Sequence, residues 1–166
     1  MDETRVLVAY CTENGSTRVI AEEIGTTLRD HGLDVTLRAA RDVDSVVPYE
    51  AVILGSAVYE DRWQPAARDF VKRLGMPLRT RDVWLFSSGP LDTSADTTDV
   101  RPVDDALAAM AETEAHDHTT FGGRLAAHPY THRARRRVTR EGAHDYRDFE
   151  QIRDWSHTIA ERLIKR

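Results

Sequence analysis

The segment Val6–Ile24 constrains this chain more than any other. An apolar run, Val6-Leu-Val-Ala9, reads as a buried strand. A turn of hydroxyl, amide and glycine residues follows, Thr12-Glu13-Asn14-Gly15-Ser16-Thr17, and an amphipathic helix starts there. A strand entering a helix through such a turn makes an anion site. Backbone N–H groups point inward, the helix N-terminus adds partial positive charge, and the hydroxyls of Thr12, Ser16 and Thr17 are free to donate. No lysine or arginine lies between Cys11 and Thr17, so the expected anion is a phosphate held by neutral donors. The GxxxxGK[ST] spacing of triphosphate loops and the GxGxxG of dinucleotide folds are both absent.

At 166 residues, 40% of them hydrophobic, the chain suits one domain with a real core. Its net charge of −5 argues against nucleic acid as a partner. Cys11 is the sole cysteine, so no intrachain disulfide can form, and a reducing cytoplasmic setting is the expectation. No apolar run approaches the length of a membrane span, and Met-Asp-Glu-Thr-Arg carries no signal-peptide core.

Strand-like and helix-like segments alternate. Strands are predicted at 5–10, 34–38 (an edge), 51–54 (central), 83–86 and, more weakly, 119–125. Helices are predicted at 17–31, 65–74, 101–113 and 146–164. The first should bury Val19, Ile20, Ile24 and Leu28 and stop at Gly32. The last carries Phe149, Ile152, Trp155, Ile159 and Leu163 on one stripe, with Asp145 placed as N-cap and Asp148 as an acid in the first turn. This alternation implies an α/β three-layer sandwich with a five-stranded parallel sheet of order 2-1-3-4-5. Loops 11–17, 55–63 and 87–99 then converge at the carboxyl ends of the strands. Residues 1–166 form one domain in this reading, with a basic insertion at about 126–145.

Three loops together carry a family resemblance. Thr12–Thr17 resembles the FMN-phosphate loop of flavodoxins. Gly55-Ser56-Ala57-Val58-Tyr59-Glu60-Asp61-Arg62-Trp63 is similar to their first flavin-flanking loop, and Phe86-Ser87-Ser88-Gly89-Pro90-Leu91 to their second. The insertion and the tail Tyr146–Ile152 resemble the FMN-dependent protoporphyrinogen IX dehydrogenase branch of that superfamily. The resemblance implies FMN as cofactor. It places Thr12, Asn14, Gly15, Ser16 and Thr17 on the phosphate, with Glu13 in the same loop. Ser56, Ala57, Val58, Tyr59 and Trp63 fall on one side of the flavin ring, and Ser88, Gly89 and Leu91 on the other. Trp63 also reads as a core residue at a helix start, and Tyr59 as a solvent-facing loop tyrosine. Trp84, inside a strand, reads as core.

FMN chemistry needs no protein nucleophile, and none is assigned. Segment 56–63 lacks the glycine that many electron-carrier flavodoxins place in their first flavin loop, where a peptide flips toward the flavin N5. A positive φ at Tyr59, Glu60 or Asp61 is expected to cost about 1 kcal/mol or more, which turns the resemblance toward two-electron chemistry. Glu60, Asp61, Asp92, Asp96 and Asp99 would form an acidic rim, as a solvated surface or as a field that lowers the flavin potential. Arg133, Arg135, Arg136 and Arg137 have three readings: a solvated loop, a dock for an acidic partner or the propionates of a porphyrinogen-like substrate, or a peripheral contact with anionic lipid near a quinone pool. The expected function is FMN-dependent oxidoreduction, as a porphyrinogen dehydrogenase with a quinone acceptor or as an electron carrier to a redox partner protein. A flavin-free binding module is the third reading.

Overall fold

The computed structural model describes residues 3–12, 15–89, 100–123 and 147–166. Its elements run β1 (Arg5–Cys11), α1 (Ser16–Asp30), β2 (Asp34–Ala39), a single 3-10 turn (Ala40–Asp42), β3 (Ala51–Tyr59), β4 (Arg62–Trp63), α2 (Pro65–Leu78), β5 (Asp82–Ser88), α3 (Asp104–Thr113), β6 (Asp117–Phe121) and α4 (Phe149–Ile164). The parallel strands lie in the order β2-β1-β3-β5-β6, so the order expected from the alternation is the order found. One element goes beyond that reading: β4 folds back antiparallel on the end of β3.

Side chains of each central strand alternate between two cores. Leu7, Ala9, Val52, Leu54, Val83 and Leu85 face α2 and α3, where Phe70, Leu74 and Ala106 meet them. Val6, Val8, Ala51, Ile53, Trp84 and Phe86 face α1 and α4, against Ile20, Ile24, Ile152 and Ile159. Each large side chain so buried contributes roughly 2 kcal/mol. Trp84 is core, as its strand position implies.

Several boundaries differ from the sequence reading for local reasons. β3 continues past Leu54 to Tyr59. A Cβ on Gly55 would lie 1.9 Å from Cζ of Phe86, so the glycine is the place where that ring crosses the sheet, not a break. β6 begins at Asp117 and stops at Phe121, where the pair Gly122-Gly123 ends the strand. α2 runs on to Leu78 with Pro77 in its last turn. Val19 is 37% exposed, so the buried face of α1 is carried by Thr17, Ile20, Ala21, Ile24 and Leu28 instead. α4 starts at Phe149, and its N-cap is Asp148, whose carboxylate accepts from the Gln151 N–H at 3.2 Å. Asp145 and the insertion 126–145 lie outside the described residues.

Candidate functional site

The parallel register sets the carboxyl ends of the strands side by side. Cys11 pairs with Ser56, Ser56 with Ser87, Ala57 with Ser88, and Ser88 with Phe121. The chain beyond these ends is tightly stacked. A Cβ on Gly89 would come within 2.9 Å of Cβ of Val58, and one on Gly123 within 3.2 Å of the Gly89 Cα. The Gly89 N–H donates to the Phe121 carbonyl at 3.1 Å. The strand ends from which the loops after β1, β3 and β5 depart therefore lie on one edge. The segment after β6, with Gly122 and Gly123, joins them; the glycine pair following a strand was the signal for it.

At the β1–α1 corner, Gly15 is the N-cap of α1 with φ 84°, a left-handed conformation that suits glycine. Its N–H donates to Thr12 Oγ1 at 2.9 Å, which fixes the turn and leaves the Thr12 hydroxyl proton free to donate elsewhere. Among the described residues no side chain caps the helix, and its first turn holds no acid. Thr17 is fully buried, and among the described residues neither Ser16 Oγ nor Thr17 Oγ1 has a hydrogen-bond partner. A buried unsatisfied hydroxyl costs about 1–3 kcal/mol, so two side by side at an uncapped helix N-terminus describe a site built for an acceptor from outside. Cys11 beside them is buried, which pushes its thiol up to about 12 and keeps it neutral. Glu13 and Asn14 lie outside the described residues.

The β3–β4 corner is a two-residue hairpin, with Tyr59 paired to Arg62 across Glu60-Asp61. Both loop residues have positive φ, 51° and 61°. Such a primed turn matches the twist of the strands it joins. The positive φ whose cost the sequence reading put at about 1 kcal/mol or more is thus the resting conformation of Glu60 and Asp61. Ala57, Val58 and Tyr59 are half-buried as β3 rises out of the core.

Two residues of the expected flavin-flanking set turn inward instead. Trp63 is 1% exposed and packs in the core facing α2 and α3, where its indole N–H donates to Ser87 Oγ at 2.8 Å. Its side chain does not line an open face, so its reading as a core residue holds. Ser56 is fully buried. Its hydroxyl donates to the Ala57 carbonyl and accepts the N–H of Gln64, the residue that caps α2. Ser88 is buried too, and Gly89 lies beside it at the edge. Leu91, Asp92, Asp96, Asp99 and the arginines 133, 135, 136 and 137 lie outside the described residues.

Asp105, in the first turn of α3, was missed by the sequence reading. It accepts from Arg62 Nε at 2.8 Å and from the Trp63 N–H at 3.0 Å, with Arg68 4.0 Å away. Burial alone would raise its carboxyl, but the bonds from Arg62 and Trp63 outweigh that and hold it below the usual carboxylate range.

A doubly wound parallel sheet with an anion-ready helix N-terminus at its carboxyl edge defines a mononucleotide-binding α/β protein. Residues 7–141 match the flavodoxin domain, and the chain belongs to that family. Among solved structures it is similar to oxidised flavodoxin 2 from Bacillus cereus, at 21% identity and TM-score 0.66, over 96% of this chain and 99% of that one. It is similar to a flavodoxin from the domain Archaea, at 16% identity and TM-score 0.63, over 96% and 99%. It also matches part of rubredoxin oxygen:oxidoreductase from Desulfovibrio gigas, at 18% identity and TM-score 0.65, over 98% of this chain and 37% of that chain. No curated protein matches. FMN is the cofactor that family membership implies, and the orphaned hydroxyls of Ser16 and Thr17 fit its phosphate.

Proposed function

We propose that this chain is a flavodoxin-type redox protein that holds FMN at the β1–α1 corner and passes electrons to a partner protein. The observation that carries this reading is the pair of buried hydroxyls, Ser16 Oγ and Thr17 Oγ1, without partners among the described residues at the N-terminus of α1. With Thr12 and the first backbone N–H groups of the helix they would hold the phosphate without a cation. Bound FMN supplies reversible electron uptake. In this reading Ala57, Val58 and Tyr59 at the end of β3 would flank one side of its ring and Gly89 the other.

The hairpin conformation favours the carrier reading. Absence of a glycine in 56–63 had turned the resemblance toward two-electron dehydrogenation, and Glu60 and Asp61 adopt positive φ without one. The narrower reading, oxidation of a porphyrinogen-like substrate with a quinone acceptor, draws on the insertion and the tail. It is tested by adding protoporphyrinogen and menaquinone to the FMN-loaded protein and following porphyrin fluorescence. Peripheral membrane contact through Arg133, Arg135, Arg136 and Arg137 belongs to the same narrower reading. No helix among the described residues is long and apolar enough to cross a membrane.

The primary test is titration of the purified chain with FMN, followed by flavin absorption and fluorescence. Saturable binding with a perturbed visible spectrum is expected. A protein that stays colourless in excess FMN overturns the assignment.

A further inference from the structure

Trp63, removed from the flavin face by its burial, has a different use. Its indole N–H can only donate, and it donates to Ser87 Oγ at 2.8 Å. Ser87 is itself 1% exposed, and its Oγ lies 2.8 Å from Nε2 of His118 on β6. A hydroxyl that accepts from the indole has its own proton left to give. When that proton goes to the bare Nε2, His118 is the neutral tautomer with its proton on Nδ1, and this is the arrangement the proposal below uses. Burial pushes the imidazole down to about 4, against the pull of Asp117, in keeping with that state. The three groups form a directional chain from the sheet's edge strand, through β5, to the hairpin. Leu85 and His118 are partners in the register, and Ser87 stands two residues on from Leu85 on the same face, so the strands themselves set the spacing.

We propose that His118 is a positioning residue: through Ser87 it locks the Trp63 indole and so holds the hairpin Tyr59–Arg62 in the conformation that receives the flavin ring. The flavin part of this role rests on the FMN reading above; the relay itself does not. β4 is only two residues long, Arg62 and Trp63, and its ladder with β3 is correspondingly short. Among its ties, beside the Arg62–Asp105 pair, are two anchors on Trp63: Asp105 at its backbone N–H and Ser87 at its indole. The second anchor is directional only while His118 offers an acceptor. A protonated or apolar residue at 118 leaves the Ser87 proton unused and frees the hydroxyl to rotate away from the indole.

The experiment is a ¹⁵N correlation spectrum of the cofactor-free protein, with the Trp63 indole cross-peak identified by its loss in Trp63→Phe, paired with FMN titrations. In the wild type that N–H should exchange slowly with solvent. In Ser87→Ala and His118→Leu the cross-peak should shift and exchange at least about tenfold faster, and FMN affinity should fall roughly fivefold to tenfold, the effect of about one net hydrogen bond. His118→Gln, whose amide oxygen reaches the same hydroxyl, should restore the cross-peak and bring affinity to within about twofold of wild type. A purely structural role would lower the unfolding midpoint of His118→Leu and leave its FMN affinity unchanged well below that midpoint, which overturns the proposal. An indole resonance indifferent to both Ser87→Ala and His118→Leu overturns the relay. If the wild type binds no FMN, the functional reading falls, and the cross-peak still decides the relay.

Discussion

The two corners that meet at the carboxyl edge of the sheet differ in how their polar groups are satisfied. At the β1–α1 corner, Ser16 Oγ and Thr17 Oγ1 are buried without partners among the described residues, none of which caps the helix with a side chain. At the β3–β4 corner the polar groups close on one another: Ser56 with Gln64 and Ala57, Trp63 with Ser87, Arg62 with Asp105. The first corner is left incomplete in a way that an anion would complete. The second has these polar groups already paired. Buried polar groups tend to be paired, so an unpaired set marks where a ligand contributes, and a paired set marks scaffold. A substitution at the first corner should therefore act on binding and spare folding. One at the second should act on folding first.

The largest effect is expected below the second corner. Gly55→Ala puts a methyl 1.9 Å from the Phe86 ring, with the ring also contacting Phe121 and Trp155 edge-on or tilted. The ring has no free space to take, so overpacking should destabilise the fold by about 3 kcal/mol, read as a lower midpoint in chemical denaturation. Next is the double variant Ser16→Ala with Thr17→Ala. FMN affinity should weaken by about 2–3 kcal/mol, from lost hydrogen bonds to a charged group, while the cofactor-free protein keeps or gains stability because two orphaned hydroxyls are gone. An equal loss of stability in the cofactor-free protein would erase the contrast between the corners.

The difference also explains what could be read from the sequence. The phosphate corner is local: strand, turn and helix follow within one short segment, and its donors are the hydroxyl residues themselves. The hairpin is not. Its supports stand 43 residues away at Asp105 and 24 away at Ser87, with His118 another 31 beyond Ser87. Trp63 looked like a ring contact because an aromatic sits in the right loop, and only the tertiary position of Ser87 shows where its indole N–H goes. Gly55 read as the end of a strand because the ring that needs its missing Cβ belongs to a different strand. The sheet order was legible because apolar runs alternate with helical stripes, a pattern that needs no knowledge of partners.

A smaller effect separates the two anchors of the hairpin. Asp105→Asn keeps the shape and one acceptor oxygen but loses the charge. Arg62 is 59% exposed, so screening keeps its ion pair weak; the loss should be about 1 kcal/mol, as the bonds from Arg62 and the Trp63 N–H to one carboxylate oxygen lose their charge. The sign with pH follows from the lowered carboxyl. Its contribution is fully present above the ordinary carboxylate pKa of about 4 and fades as pH falls through the lower folded-state value. The wild type should therefore exceed Asp105→Asn in stability at neutral pH, and the two denaturation curves should converge below about pH 4.

The smallest effect tests whether the hairpin tip is strained or merely unusual. Glu60 and Asp61 hold φ of 51° and 61°, where a Cβ crowds the backbone. A primed two-residue turn prefers Asn-Gly because both residues enter that region readily. Replacing Glu60-Asp61 by Asn-Gly should relieve strain at both positions, while the glycine adds unfolded-chain entropy that offsets part of the gain. The net should be a stabilisation of about 1 kcal/mol, visible as a raised denaturation midpoint. FMN affinity should stay within about twofold, because the tip conformation is kept while its cost is reduced. A drop in FMN affinity with that stabilisation would mean that the acidic side chains themselves act on the cofactor, and the second corner would then be a ligand contact as well as scaffold.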